Sequence, residues 1–222
     1  MTAEFSLAPS SLTDALYDSL RLRIINGEIA AGEKLTEARV SSEYSVARPT
    51  AKACLERLTA AGLLRRTAHK TAVVPTFGVE ELEDLFIARE AVEKAAIERL
   101  STARTVPQAA VHAQGAIEVA AEQLNFPDQV TADIEFHSAL VDAAGSTRLA
   151  KMHSLIMGEV HLTMGQFQAQ AHRATSPGNV VGEHAAIMEA IERGDTDGAA
   201  QALVTHLENA RDRLIARATK EQ

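Results

Sequence analysis

Residues 36–74, TEARVSSEYSVARPTAKACLERLTAAGLLRRTAHKTAVV, hold two short helix patterns followed by a hairpin pattern. Thr36 is a natural N-cap, Glu37 puts an anion in the first turn, and Leu35 is placed to staple onto Val40. That helix is expected to end near Tyr44 and Ser45. A second begins at Arg48-Pro49, because a proline at the first helical position gives up no intrahelical hydrogen bond. Ala51, Cys54, Leu55, Leu58 and Ala61 recur at the i, i+3, i+4 spacing of one buried face. Arg48, Lys52, Glu56 and Thr59 fall on another face, with the cations at its N-terminal end. Gly62 closes the helix, and 63–66 with 71–74 read as a small β-hairpin. A helix that enters the major groove needs its cations in its first turns. The pattern therefore points to a winged helix-turn-helix reading double-stranded operator DNA, with Arg39, Arg48, Thr50, Lys52, Arg65, His69 and Lys70 as DNA-facing candidates. An ordinary helical hairpin with a solvated cationic face fits the same spacing.

Charge supports the first reading once it is divided along the chain. The net charge of −8 hides an asymmetry: residues 1–77 hold 10 Lys and Arg against 8 Asp and Glu, whereas 78–222 hold 12 against 22. The acidic excess lies outside the DNA candidate. With 46% hydrophobic and only 4% aromatic residues, the 222-residue chain favours helices packed through small side chains. One cysteine cannot close an internal disulfide, so a reducing cytoplasm is the expected compartment. No signal peptide and no membrane-length apolar run is expected.

Ahead of the helix-turn-helix, a helix is expected from about Ser11 to Asn26, with Leu12, Leu16, Leu20 and Ile24 on one stripe and Gly27 as its stop. After the hairpin, Pro75-Thr76-Phe77-Gly78 is a short connector, which divides the chain into 1–77 and 78–222. The second part is helical almost throughout, with helices expected at 79–103, 106–124, 127–144, 147–172, 178–193 and 196–218. Six amphipathic helices with short loops predict an antiparallel all-α bundle, so the chain as a whole is mainly α.

Polar residues on the buried faces of those helices are the place to look for chemistry, because burial without a partner is costly. Asp133 and His137 are i and i+4 and share a face with Val130 and Leu140. His184 aligns with Val181, Ile187 and Ile191, and His206 with Ala199, Leu203 and Ala210. Three inward imidazoles and a carboxylate suit a divalent metal, Zn first, with Ni or Mn as alternatives. A satisfied hydrogen-bonded core is the other reading of the same residues. Arg89 lies on the stripe of Leu82, Leu85, Phe86, Val92 and Ala96. It is either an internal ion pair, with Glu93 one turn on, or a bidentate clamp for a small carboxylate effector. His112, His153, His161 and His172 belong to no such pattern.

The run LRIINGEIAAGEKLTE at 22–37, together with Val46-Ala47-Arg48, Leu55, Arg57-Leu58 and Ala61-Gly62-Leu63-Leu64, resembles the DNA-binding domain of the GntR family of transcription regulators. The second part resembles the FadR C-terminal ligand-binding (FCD) domain. In metal-bearing members an Asp-x-x-x-His motif is joined by two later histidines, which Asp133, His137, His184 and His206 match, and a helix like that of Arg89 carries an arginine. The resemblance implies a ligand-responsive homodimeric regulator of the FadR subfamily rather than an enzyme. A metal hydrolase or lyase, or a regulator for which the metal itself is the signal, are the alternatives. Arg48-Pro49-Thr50-Ala51-Lys52 departs from the family's Arg-Thr-Pro-Val-Arg. Lysine lacks the arginine fork, so a different base preference is expected. The wing turn 67–70 also lacks the usual glycine, and Gly145-Ser146-Thr147 replaces Gly-Asn.

Overall fold

The computed structural model describes residues 12–66, 71–170 and 179–219, and the chain divides into two compact units, Met1–Thr76 and Phe77–Gln222. The wing turn with His69 and Lys70, and His172, lie outside the described residues.

In the first unit α1 spans Leu12–Ile25, β1 Lys34–Leu35, α2 Glu37–Tyr44, α3 Arg48–Ala60, β2 Arg65–Arg66 and β3 Ala72–Val73. The local signals act as expected. Thr36 Oγ1 accepts the Arg39 N–H at 3.2 Å, and Leu35 and Val40 are both buried. Ser45 takes a left-handed conformation, φ 53°, that ends α2, and Ser41 Oγ donates to Val46 O across the turn at 2.6 Å. Ala51, Cys54, Leu55 and Leu58 form the buried face of α3, which packs on α1 and α2. The hairpin is one strand richer than expected. β1 pairs antiparallel with β3, Leu35 opposite Ala72, so the sheet order is β1-β3-β2. A two-residue strand is too short to carry a period of its own, and only its partners 37 and 39 positions on reveal it.

The second unit holds α4 Val79–Ala103, α5 Gln108–Glu122, α6 Phe126–Ala143, α7 Thr147–Gln170, α8 Val180–Arg193 and α9 Thr196–Ala218. These are the six helices the periodicity predicts, with ends moved by a residue or two; the expected end of the fourth and start of the fifth lie outside the described residues. Their starts are capped locally. Asn125 Oδ1 accepts from Asp128 N, Asn179 Oδ1 from Gly182 N, and Asp195 Oδ1 from Gly198 N. Gly194, φ 72°, supplies the left-handed stop between α8 and α9. α4 is central, packing against α6, α7, α8 and α9, while α5 lies on α6 and α8. Alanines such as Ala96, Ala132, Ala190 and Ala199 are fully or nearly buried. Their small side chains let helices carrying larger polar groups approach closely. The main core joins Phe86, Ile97, Ile117, Phe136, Leu140 and Leu203 among others, and the polar cluster sits against it.

Candidate functional site

Asp133, His137, His184 and His206, buried on α6, α8 and α9, come together with one potential ligand atom each, all within 4.8 Å of one another. His137 and His184 are fully buried, and His206 and Asp133 nearly so. His137 Nε2 lies 3.0 Å from His206 Nε2, and His184 Nε2 lies 3.4 Å from His206 Nε2 and 3.3 Å from Asp133 Oδ1. The His184 ring stacks on Phe136, centroids 3.9 Å apart and planes 6° from parallel, which fixes its plane.

The far sides of two rings are held by carboxylates. Glu183 Oε2 accepts from His206 Nδ1 at 2.8 Å, and its Oε1 accepts from the Asn209 amide. Glu93 Oε2 lies 2.7 Å from His137 Nδ1, close enough for ionic attraction though out of line for a hydrogen bond. A bare lone pair facing a carboxylate at that distance is repelled, which favours the tautomer with the proton on Nδ1 in both rings. Two Nε2 lone pairs then face each other at 3.0 Å. A cation between them removes that repulsion. For ligands about 2.1 Å from a shared ion, neighbouring ligand atoms lie about 3.0–3.4 Å apart depending on the geometry, the range of these two separations. The residues present therefore fit a divalent metal with imidazole and carboxylate ligands and carboxylate partners behind the rings.

Titration agrees with that use. Burial lowers the His137 pKa to about 3, outweighing the attraction of Glu93, and burial also lowers that of His184. Neutral imidazole is the ligating form. Burial pushes the Asp133 carboxyl up, but the imidazoles around it, His184 first, bring it far below the usual carboxylate range. Glu93 is treated alike: desolvation raises it, and Arg89, His137 and His153 hold it well below its ordinary value.

Arg89 is fully buried on α4. Its Nε donates to Glu93 Oε1 at 2.6 Å, its guanidinium carbon lies 5.6 Å from the Phe86 ring centroid, and Nη1 and Nη2 have no hydrogen-bond partner. The ion pair with Glu93 weighed from the sequence is thus present, with two donors left over. Glu93 reaches further than the sequence indicated, since it also faces His137 and takes His153 Nε2 at 3.2 Å. Nothing in the spacing of α4 signals that role, because the partners come from α6 and α7.

A cavity opens beside the cluster, enclosing about 560 Å³ counted out to its mouth. Asp133 and His206 line it, with Gln129 and Arg213; His137, His184 and Arg89 do not. The cluster is therefore reachable along its Asp133–His206 edge.

On the first unit, Arg48 and Lys52 are exposed at the start of α3 and Thr50 is half-buried beside them. Lys52 Nζ and Arg66 Nη2 approach Glu56 Oε1 at 3.9 and 3.8 Å, which joins the start of the helix to the exposed strand Arg65–Arg66. Arg39 is half exposed and engaged within its own unit: Nη1 pairs with Glu33 Oε1 at 2.5 Å and donates to Lys34 O. A recess lined by Thr36, Arg48, Arg66 and Thr71 lies between α2, α3 and the sheet.

A winged helix-turn-helix joined to a helical bundle with a buried polar cluster is the build of a DNA-binding transcription regulator. Residues 12–74 match the bacterial regulatory proteins of the gntR family and residues 84–209 match the FCD domain. The chain belongs to the GntR family, with an FCD domain as its second half. It is 24% identical over 214 residues to the HTH-type transcriptional regulator BphR of Paraburkholderia xenovorans, covering 90% of this chain and 84% of that one. It is 23% identical over 212 residues to the HTH-type transcriptional repressor RspR of Escherichia coli K12, covering 94% and 91%. The fold is shared with a GntR chain from Rhodococcus sp. RHA1, TM-score 0.77 at 24% identity over 93% of this chain and 99% of that one. It is shared equally with E. coli McbR/YncC, TM-score 0.76 at 17% identity over 94% and 99%. The gntR family, BphR and RspR are described as regulators. No helix among the described residues is long and apolar enough to cross a membrane.

Proposed function

We propose that this regulator binds operator DNA as a homodimer, and that its FCD domain holds a divalent ion on Asp133, His137, His184 and His206. A small organic acid bound over the ion then alters the DNA affinity. The observation that carries the metal half is the set of facing Nε2 atoms 3.0 and 3.4 Å apart, with carboxylates behind two of the rings. Zn is the first candidate from the ligand set, and Ni or Mn the alternatives. The ion would supply a fixed positive charge with a coordination position for a carboxylate oxygen.

Arg89 supports the acid half. Arg89 lies off the cavity wall, but its two buried donors without partners are costly, and a carboxylate oxygen that reached past the ion to them would satisfy them. On the DNA side, Arg48, Thr50 and Lys52 would read the groove, with Arg39, Arg65, His69 and Lys70 contributing phosphate contacts. A two-fold protein reads a palindromic site and doubles its phosphate contacts.

The experiment is elemental analysis of chelator-treated and reloaded protein, followed by operator titrations with and without candidate acids. His184→Ala and His206→Ala are expected to lose the metal. Arg89→Lys is expected to keep the metal and lose acid affinity, since lysine retains the charge without the fork. A protein that neither carries nor takes up a stoichiometric ion would make the cluster a hydrogen-bonded core.

A further inference from the structure

The wall of the cavity beside the cluster is largely apolar: Phe126, Val130, Met164, Val180, Ala210 and Leu214. Charge around it is nearly balanced. Three neutral imidazoles and one Asp133 carboxylate with a divalent ion leave a net +1. Arg89 is compensated by Glu93 at 2.6 Å, and Arg213, at the cavity's edge, by Glu183 at 3.9 Å. The site thus has one positive charge to offer and an apolar surface next to it. Building on the metal-and-acid reading above, we infer that the effector is a monocarboxylic acid with a compact apolar body, alkyl or aryl. Its carboxylate meets the ion along the Asp133–His206 edge, and its body lies along Val130, Val180 and Leu214.

Two other classes of acid fit less well. Arg89 does not line the cavity, so a second carboxylate there would face either apolar wall or Arg213, already paired with Glu183, and a buried anion without a partner is strongly disfavoured. The many hydroxyls of a sugar acid would lose their water against the same wall, with the Gln129 amide as the one uncharged amide in the lining to replace it. An apolar body gains from the burial that penalises the others.

The test is calorimetric titration of the Zn-loaded full-length protein with phenylpropionate, glutarate and gluconate. Phenylpropionate is expected to bind at least about tenfold more tightly than either of the others. Val130→Thr keeps the shape of the wall and adds a hydroxyl. It should weaken phenylpropionate several-fold with the metal content unchanged, and Leu214→Asn should do the same from the other side. Glutarate or gluconate binding as tightly as phenylpropionate, with the metal in place, would overturn this inference and leave the metal-and-acid reading standing. A metal-loaded protein that binds no acid of the three overturns the inference and the effector half of that reading. A protein that takes up no metal overturns both at their common root.

Discussion

At the residue scale, Glu93 and Glu183 do similar work in different surroundings. Glu93 is fully buried and serves a guanidinium and two imidazoles at once, whereas Glu183 is partly open and shared with Asn209 and Arg213. Removing the Glu93 charge leaves Arg89 buried without its partner. Glu93→Gln is therefore expected to destabilise the protein by about 3–5 kcal/mol. Glu183→Gln leaves a more accessible arrangement and should cost little stability, while lowering metal affinity about 10–100-fold through the freed His206 ring. Denaturant unfolding of the metal-free proteins, set beside metal-binding isotherms, separates the two. Equal loss of stability in both variants would show that burial does not distinguish them.

At the element scale, α3 combines an apolar face that holds it in the unit with a cationic start that is exposed. The face and the start are separable. Arg48→Ala and Lys52→Ala should leave the melting temperature nearly unchanged, since both side chains are exposed. If Lys52 reads a base, its loss should weaken specific binding by about 1–3 kcal/mol, while a phosphate contact would be lost on all sequences alike. Binding isotherms on operator and on scrambled duplex at several salt concentrations decide which. Unchanged affinity in the double variant would remove α3 from the interface. α6 shows the same economy: one face of a single helix puts Asp133 and His137 into the polar cluster and Phe136 beneath His184.

For the whole molecule, the lowered histidine pKa values make stability depend on pH. His137 titrates near 3 when folded and near its ordinary 6.5 when unfolded. Between those values the unfolded chain binds the proton and the folded chain does not, so stability is lost as pH falls through that window. From pH 7 to pH 5 the loss from His137 alone is about 2 kcal/mol, and His184 acts in the same direction. Asp133 and Glu93, both depressed, extend the loss below the ordinary carboxylate range. Chemical denaturation of the metal-free protein across that range checks this. A flat profile would mean that the histidines are charged in the folded state. The metal-loaded protein should fall more steeply still, because protons and metal compete for the same nitrogens.

Local order was legible from the chain because it depends on neighbours within one or two turns. The Thr36 cap, the proline at the head of α3, the six amphipathic repeats and the shared face of Asp133 and His137 all follow from helical spacing. The inward placement of His184 and His206 followed from the same period. What stands behind each ring did not, since Glu93 meets His153 60 positions away and His137 meets His206 across 69. The third strand, β1, and the opening of the cavity on the Asp133–His206 edge belong with these. Such relations are set by the register and rotation of one helix or strand against another. Packing of whole faces decides that register, and no periodicity within a single element records it.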